Sequence, residues 1–262
     1  MKIAIIGAGN MGSSIAASLS DLDHNVVCTA RSIATLHRLK SEMPTVETTD
    51  DNRAAATDAD LVVLAVKPYV APDVIDEIAG CIKPGAIVAS VIADTSIARL
   101  REMLGDEERK LRLFRVIPNT AIRERESVTF IAHDPDTEPS AIATVEEIFR
   151  LSGEAIIVAE KDMAVCTALA SCGIALFLRF IRAAAEGAVE LGLPAAFATR
   201  IAALTARSAA AVLRDGSHPE AEIDKVTTPG GITIRGLNAM EANGFTPAVI
   251  AGLRACCPSA KK

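Results

Sequence analysis

The sequence predicts an α/β fold, with a doubly wound parallel sheet in the N-terminal part and an all-α region after it. Two observations carry this prediction. Short apolar, β-prone runs alternate with helical spacing as far as Val158, and only helical spacing is found from Asp162 to Cys256. Strands that alternate with helices form βαβ units and hence a parallel sheet. We place the boundary near Ala159, which gives domains of residues 1–159 and 160–262.

The first predicted strand, Ile3 to Ile6, runs into a glycine-rich turn. Gly7, Gly9 and Gly12 form a G-x-G-x-x-G motif, and the apolar residues that follow recur at helical spacing. In such a unit the first glycine allows the tight turn, the second lets the backbone approach a pyrophosphate, and the third lets the helix pack on the strand. The motif predicts a Rossmann-type, dinucleotide-binding domain. A purely structural glycine turn is the alternative.

The second predicted strand, residues 26–29, ends at a cation rather than at a carboxylate. Folds that bind NAD usually place an acidic residue there for the ribose hydroxyls, whereas this chain has Arg31 and Ser32. A guanidinium can bind a 2′-phosphate with two hydrogen bonds. The exchange favours NADP, with NADH as a weaker second cofactor. The alternative is that Arg31 is solvated and Ser32 only caps the next helix.

A further apolar strand, residues 61–66, ends at Lys67, and the ends of parallel strands line the ligand crevice of an open α/β sheet. Lys67 is therefore expected at the cofactor. The remaining elements of this domain, in chain order, are a helix over 50–57, a helix with Pro72 in its first turn, a strand at 86–91, a helix over 96–104, strands at 111–116 and 128–132, a helix over 142–151 and a strand at 155–158.

Composition and charge argue against several classes of partner and site. A formal net charge of −6 disfavours nucleic acid and anionic membranes, which need clustered cations. The six cysteines have no C-x-x-C spacing, and the four histidines are dispersed, so no metal site is predicted. The uncharged stretch 163–178 is shorter than a bilayer span and is expected to be a core or interface helix. We expect a cytoplasmic protein.

The helical region contains one further candidate site, the stretch Lys225 to Ile234. It holds Gly230 and Gly231, flanked by Thr228 and Thr233, just before a helical pattern. Exposed N–H groups at a helix N-terminus, together with hydroxyl groups, suit a small carboxylate. A turn between helices, in which the glycines only relieve backbone strain, is an equally good interpretation.

Several motifs in the correct order make the chain resemble the pyrroline-5-carboxylate reductase family along nearly its whole length. They are GAGNMG at 7–12, AVKP at 65–68, PNT at 118–120, EGAVELGLP at 186–194, HP at 218–219 and TTPGGITIRGLNAMEANGF at 227–245. The resemblance implies NADPH-dependent reduction of the cyclic imine 1-pyrroline-5-carboxylate to L-proline, the last step of proline biosynthesis. It also implies a homodimer formed through the C-terminal helices, with a ring of dimers as a larger alternative.

The resemblance also assigns roles to individual residues. It places the substrate carboxylate on the loop that contains Thr228, Gly230, Gly231 and Thr233, and Thr233 is the candidate hydroxyl near the ring nitrogen. The cofactor-binding positions are Gly7, Gly9, Asn10, Met11, Arg31, Ser32, Asn52, Ala65, Lys67 and Pro68.

Three departures from the family pattern concern the substrate pocket. The family usually has Ala-Gly where this chain has Ala93-Asp94, beside the expected nicotinamide position. Ile174 stands where the family has a proline, and Ile232 replaces a small residue or threonine. The Asp94 carboxylate could hold a cationic iminium or point to solvent.

Two other functions remain open. One is an NADP-linked reductase of another cyclic imine or of a hydroxyacid. Hydroxyacid enzymes generally need a lysine or histidine acid/base in the helical domain, but no histidine lies between Asp162 and Gly216, and Lys225 is the first lysine after Lys161. The other is a non-catalytic module that senses a nucleotide.

Overall fold

The computed structural model describes residues 1–20, 23–106 and 110–257. The chain divides into two compact units, Met1–Thr167 and Ala168–Lys262. The first unit contains an eight-stranded sheet, and the second is helical throughout its described elements. The predicted fold class is thereby confirmed.

The sheet of the first unit has the strand order β3-β2-β1-β4-β5-β6-β7-β8. Its strands are β1 Lys2–Ile6, β2 Asn25–Thr29, β3 Glu47–Thr49, β4 Leu61–Leu64, β5 Ile87–Ser90, β6 Arg112–Ile117, β7 Ser127–His133 and β8 Gly153–Ile157. The order of the first six strands is the doubly wound one, in which the chain reverses direction across the sheet between β1 and β4. The central strands β1, β4 and β5 are buried on both faces, which explains their unbroken apolar sequences.

Two features of the sheet differ from the sequence prediction. Strands β6 and β7 pair antiparallel, whereas the other neighbours are parallel. The segment that joins them, residues 118–126, is too short for a crossover helix, and antiparallel strands need none. The sequence also gave no sign of β3, a three-residue polar strand at the edge of the sheet.

Seven α-helices are described in the first unit. They are α1 Asn10–Leu19, α2 Ile33–Glu42, α3 Asn52–Ala56, α4 Ala71–Ala79, α5 Ile97–Leu104, α6 Pro139–Arg150 and α7 Met163–Thr167. Their apolar faces cover the sheet. Ile15 and Leu19 of α1, and Val145 and Phe149 of α6, lie in one buried cluster with the strand residues.

The helices of the second unit begin after a π-helical turn, Ala168–Cys172. They are α8 Gly173–Glu190, α9 Ala195–Ala211, α10 Pro219–Val226, α11 Ile232–Ala242 and α12 Phe245–Ala255. Helices α8 and α9 pack on each other, and Phe180 of α8 meets Phe245 of α12 edge-on, with ring centroids 6.2 Å apart. Many large apolar side chains of this unit, such as Phe177 and Leu178, stay exposed within one chain.

One continuous helical stretch, Glu160–Glu190, has the length and composition of a membrane span, and its most apolar window has a mean hydropathy of 2.0. The core helix of a soluble protein satisfies the same criterion. Only 11% of its most apolar window is buried within the chain, so most of this surface is open to a partner.

The division between the units lies a little later than the change of secondary structure near Ala159. Met163 of α7 is fully buried, and α7 packs against β7. The Glu160 carboxylate accepts a hydrogen bond of 2.8 Å from the backbone N–H of Ile97. The first residues of the helical stretch therefore belong to the compact unit that holds the sheet.

Candidate cofactor site and substrate loop

The turn between β1 and α1 has the geometry that its three glycines predict. Gly7 has a left-handed φ of +96°, and its N–H donates to the Thr29 hydroxyl at 3.0 Å. A Cβ at Gly12 would lie 2.3 Å from the Gly7 carbonyl oxygen, so only glycine lets α1 approach the strand this closely. Thr29 was not singled out from the sequence, because its role depends on β2 lying beside β1.

Gly9 differs from the other two glycines because there is free space, among the described residues, where a side chain at this position would begin. A Cβ built there meets none of the described heavy atoms within 4 Å, and its φ of −73° and ψ of −161° are open to any residue. Gly9 is the N-cap of α1 and Asn10 and Met11 are the first residues of that helix. The first N–H groups of a helix have no partner inside it and attract anions. Packing among the described residues does not require glycine at position 9, whereas close approach of a pyrophosphate to the backbone would require it.

The end of β2 carries the two residues predicted to select NADP. Arg31 and Ser32 are both exposed beyond the last residue of the strand. Ser32 occupies the N-cap of α2, yet within the described chain its hydroxyl forms no capping hydrogen bond with that helix. The nearby Asp51 carboxylate is occupied, because it accepts from the Ala54 N–H and caps α3. The cation at the end of β2 is thus available to a phosphate.

The end of β4 lies beside the glycine turn. The Ala65 N–H donates to the Ile6 carbonyl at 2.9 Å, and a Cβ at Gly12 would lie 3.2 Å from the Ala65 methyl group. Lys67 is exposed at the carboxyl edge of the sheet, and Pro68 begins a short 3₁₀ turn, Pro68–Val70. The Lys67 ammonium contacts no hydrogen-bonding or acidic group among the residues that the structure describes.

Asn52, the remaining predicted cofactor residue, is the first residue of α3. Its side-chain amide donates to the Glu77 carboxylate of α4 at 2.9 Å, which fixes its orientation. Glu77 is a second residue that sequence reasoning missed, because the pairing joins two helices that are separate in the sequence.

A charged pair lies behind the loop that follows β5. Arg115 of β6 and Glu160 approach to 3.8 Å between guanidinium and carboxylate, and Glu160 also holds the Ile97 N–H at the start of α5. The Nε atom of Arg115 is buried and has no hydrogen-bond partner among the described residues. The sequence signal that could have pointed to this pair was Arg115 itself, which lies between the apolar residues Phe114 and Val116 in the middle of β6.

The second candidate site, in the helical unit, is a tight turn before α11. Gly230 has a φ of +70°, the Gly231 N–H donates to the Thr228 carbonyl at 2.9 Å, and a Cβ at Gly231 would lie 2.5 Å from the Thr228 hydroxyl oxygen. Arg235 donates to the Gly230 carbonyl at 3.1 Å. Thr228 and Thr233 are exposed. Both glycines thus serve the turn, with the Gly231 N–H already used within it, and the side chains of Thr228 and Thr233 remain exposed.

Among the described residues no group of three or more histidine, cysteine or acidic side chains is arranged to hold a metal ion.

Two family models match the chain. Residues 160–262 match the model described as pyrroline-5-carboxylate reductase dimerisation, and residues 2–94 match the one described as NADP oxidoreductase, coenzyme F420-dependent. The two matches correspond to the helical part of the chain and to the strands and helices around the glycine turn.

Curated relatives and solved structures extend the similarity over the whole chain. Pyrroline-5-carboxylate reductase 2 of Dictyostelium discoideum is 38% identical over 96% of this chain and 89% of its own length. The Neurospora crassa pyrroline-5-carboxylate reductase is 30% identical over 97% and 90%. The Plasmodium falciparum pyrroline carboxylate reductase structure with NADP bound has a TM-score of 0.86 and 25% identity, covering 99% of this chain and 96% of its own. The Coxiella burnetii pyrroline-5-carboxylate reductase structure has a TM-score of 0.89 and 28% identity, covering 99% and 97%. The chain therefore belongs to the pyrroline-5-carboxylate reductase family.

Proposed function

We propose that this protein reduces 1-pyrroline-5-carboxylate to L-proline with NADPH as its cofactor. The observation that carries the proposal is the 38% identity to a pyrroline-5-carboxylate reductase over 96% of the chain, which includes both the glycine turn and the Thr228–Thr233 loop. The resemblance stated from the motifs alone and the full-length similarity lead to the same activity.

The cofactor residues of the first unit fit NADP. The open backbone at Gly9 leaves room for a pyrophosphate at the N-terminus of α1, beside Asn10 and Met11. Arg31 and Ser32 present a cation and a hydroxyl to a 2′-phosphate. The other positions proposed to contact the dinucleotide are Gly7, Asn52, Ala65, Lys67 and Pro68.

The substrate loop of the second unit supplies a site for the carboxylate. The proposed contacts are the Thr228 and Thr233 hydroxyls and the backbone at Gly230 and Gly231. Thr228 and Thr233 are exposed and no acidic side chain lies in the described first turn of α11, so the loop offers hydrogen-bond donors without repelling an anion.

The chemistry depends mainly on how the two reactants are positioned. NADPH, when bound, supplies the hydride that reduces the imine carbon. Protonation of the ring nitrogen makes that carbon more electrophilic, and Thr233 is the hydroxyl proposed to contact the nitrogen, with solvent water as the alternative proton source. Positioning of this kind contributes up to about 7–11 kcal/mol in favourable cases.

The helical unit is proposed to form a homodimer, with a ring of dimers as the larger assembly, in the cytoplasm. The support is the match of residues 160–262 to the dimerisation model, and the exposed apolar side chains of α8 and α9, such as Phe177 and Phe197. Buried apolar surface is the main favourable term in association, and small alanine side chains let helices approach closely. Light scattering is expected to show a dimer or a multiple of one. A fully active monomer at assay concentration would contradict it.

The activity is tested by mixing the purified protein with NADPH and 1-pyrroline-5-carboxylate. The absorbance of NADPH should fall and L-proline should form in equal amount. Hydroxyacids with NADP should give no comparable rate. If NADPH binds but no imine is reduced, the nucleotide-sensing alternative replaces the proposal.

A further inference from the structure

Asp94 holds a left-handed backbone conformation, which is uncommon for residues other than glycine. It follows β5 and has a φ of +56°, in the left-handed region that glycine enters freely and that costs most other residues energy. A non-glycine residue kept in a strained conformation is a starting point for a functional hypothesis.

The carboxylate of Asp94 has no partner in the part of the chain that the structure describes. Asp94 is exposed, and it forms no hydrogen bond or ion pair with any residue that the structure describes. The loop around it is nevertheless fixed. The Ser96 hydroxyl caps α5 by accepting from the Arg99 N–H at 3.1 Å, and Glu160 holds the Ile97 N–H. The Asp94 carboxylate is therefore unpaired among the described residues and lies two residues before the anchored start of α5.

The strand order indicates which half of the dinucleotide faces this loop. Arg31, at the end of β2, marks the side of the 2′-phosphate, and the turn after β1 marks the pyrophosphate. On the other side of β1 the neighbours are β4 and then β5. An extended dinucleotide that crosses the carboxyl edge from β2 through β1 must continue over β4 and β5. Asp94 thus lies on the nicotinamide side, where the substrate ring must stack.

We propose that Asp94 is a specificity-determining residue that favours ring substrates and products whose nitrogen carries a positive charge. This inference rests on the proposed function. The protonated imine is an iminium cation; hydride addition to its carbon leaves a neutral secondary amine, which takes up a proton from solvent to give the secondary ammonium of L-proline. The nitrogen is thus cationic before hydride transfer and again in the released product, and an unpaired carboxylate attracts either form.

The test compares two ligands that differ only at the ring atom. L-Proline carries a cationic nitrogen, and tetrahydrofuran-2-carboxylate has the same ring and carboxylate with a neutral oxygen. Their inhibition constants against 1-pyrroline-5-carboxylate are measured for the parent, Asp94→Asn and Asp94→Gly. Asn tolerates the left-handed backbone and Gly prefers it, so both variants remove the charge without straining the loop.

The chain also offers a matched control. Asp58 is exposed, has a φ of +58°, and precedes β4 at the opposite edge of the sheet. Asp58→Asn removes the same charge from the same backbone conformation, away from the carboxyl edge.

In the parent, the preference for L-proline over its ring-oxygen analogue should be about threefold greater than in both Asp94 variants, which is the size expected of a solvent-exposed charge pair. Asp58→Asn should leave the preference unchanged. The parent's extra preference for L-proline should shrink at high ionic strength, because salt screens the attraction between the Asp94 carboxylate and the cationic nitrogen. An equal loss of affinity for both ligands, or an unchanged ratio, would overturn the role of Asp94. Absence of imine reduction by the parent would instead overturn the proposed function.

Discussion

Gly9→Ala separates binding of the dinucleotide from folding of the turn. Because no described atom lies within 4 Å of the added methyl group and the backbone is extended, the variant should fold without a clash. Replacing glycine by alanine stabilises by about 0.4–1 kcal/mol through the unfolded chain. Alanine is also a poorer N-cap than glycine, at a cost of about 0.5–1 kcal/mol. The two terms offset, so the unfolding free energy should change by less than about 1 kcal/mol.

The same methyl group would stand where the pyrophosphate must approach the backbone. Pushing the phosphate outwards weakens its hydrogen bonds to the N–H groups of α1, and each hydrogen bond to a charged group contributes about 1.5–3 kcal/mol. The loss of one such bond weakens NADPH binding by about tenfold to a hundredfold. We therefore expect a large change in NADPH affinity without a comparable change in stability.

Thermal melts and NADPH titrations, by protein or cofactor fluorescence, measure the two effects separately. For a unit of this size about 1 kcal/mol corresponds to about 2–4 °C in Tm, so a smaller shift is expected. Gly80→Ala, at the open C-terminus of α4 with nothing within 4 Å among the described atoms, is the matched control and should leave NADPH affinity unchanged. Gly12→Ala should fail to fold normally because its methyl group would lie 2.3 Å from a carbonyl oxygen. Unchanged NADPH affinity in Gly9→Ala would refute the assignment of this turn to the pyrophosphate.

Three further predictions concern the cofactor, the substrate and pH. Arg31→Ala should weaken NADPH binding by about tenfold or more and NADH binding much less, as the loss of a charge-assisted hydrogen bond requires; an equal loss for both, in parallel titrations, would make Arg31 structural. Thr233→Val should lower kcat/KM for 1-pyrroline-5-carboxylate by about tenfold with unchanged NADPH affinity and Tm. Unaltered kinetics would show that the Thr233 hydroxyl does not contribute to turnover. The Lys83 ammonium, followed by the Lys2 N–H, holds the pKa of Asp60 below its ordinary 3.8. Its stabilising effect is present above that ordinary value and is lost as the pH falls through the lowered pKa. Asp60→Asn should therefore unfold more easily than the parent in urea at neutral pH, with the difference shrinking as the pH falls below the ordinary value of 3.8.

The sequence was most informative where one local pattern settles one local structure. The apolar runs of β1, β4 and β5 are buried on both faces, so their composition alone identifies strands of a covered parallel sheet. The breaks at Gly192, Asp215 and Gly244 each fall between helices of the second unit, because glycine and turn-forming residues end helices by their own backbone preferences.

Neither strand β3, at the edge of the sheet, nor the antiparallel pairing of β6 with β7 was predicted from the sequence. Strand β3 is polar and three residues long, and it is a strand only because β2 offers it backbone hydrogen bonds. The antiparallel pairing of β6 with β7 follows from the connection 118–126, which is too short for a crossover helix, and the prediction of a parallel sheet rested on the alternation of elements without using that length.

For the candidate site, the sequence determined the glycine turn, the cation at the end of β2 and the identity of the Thr228–Thr233 loop, since each is a contiguous motif with its own chemistry. Only the tertiary structure decided what depends on residues far apart in the chain. It showed that Gly12 is required by packing whereas Gly9 is left open, that Thr29 fixes the turn, and that Glu160 and Arg115 lie behind the Asp94 loop. The reason is physical: backbone preference is encoded residue by residue, but a close approach or an ion pair exists only after folding has brought two distant segments together.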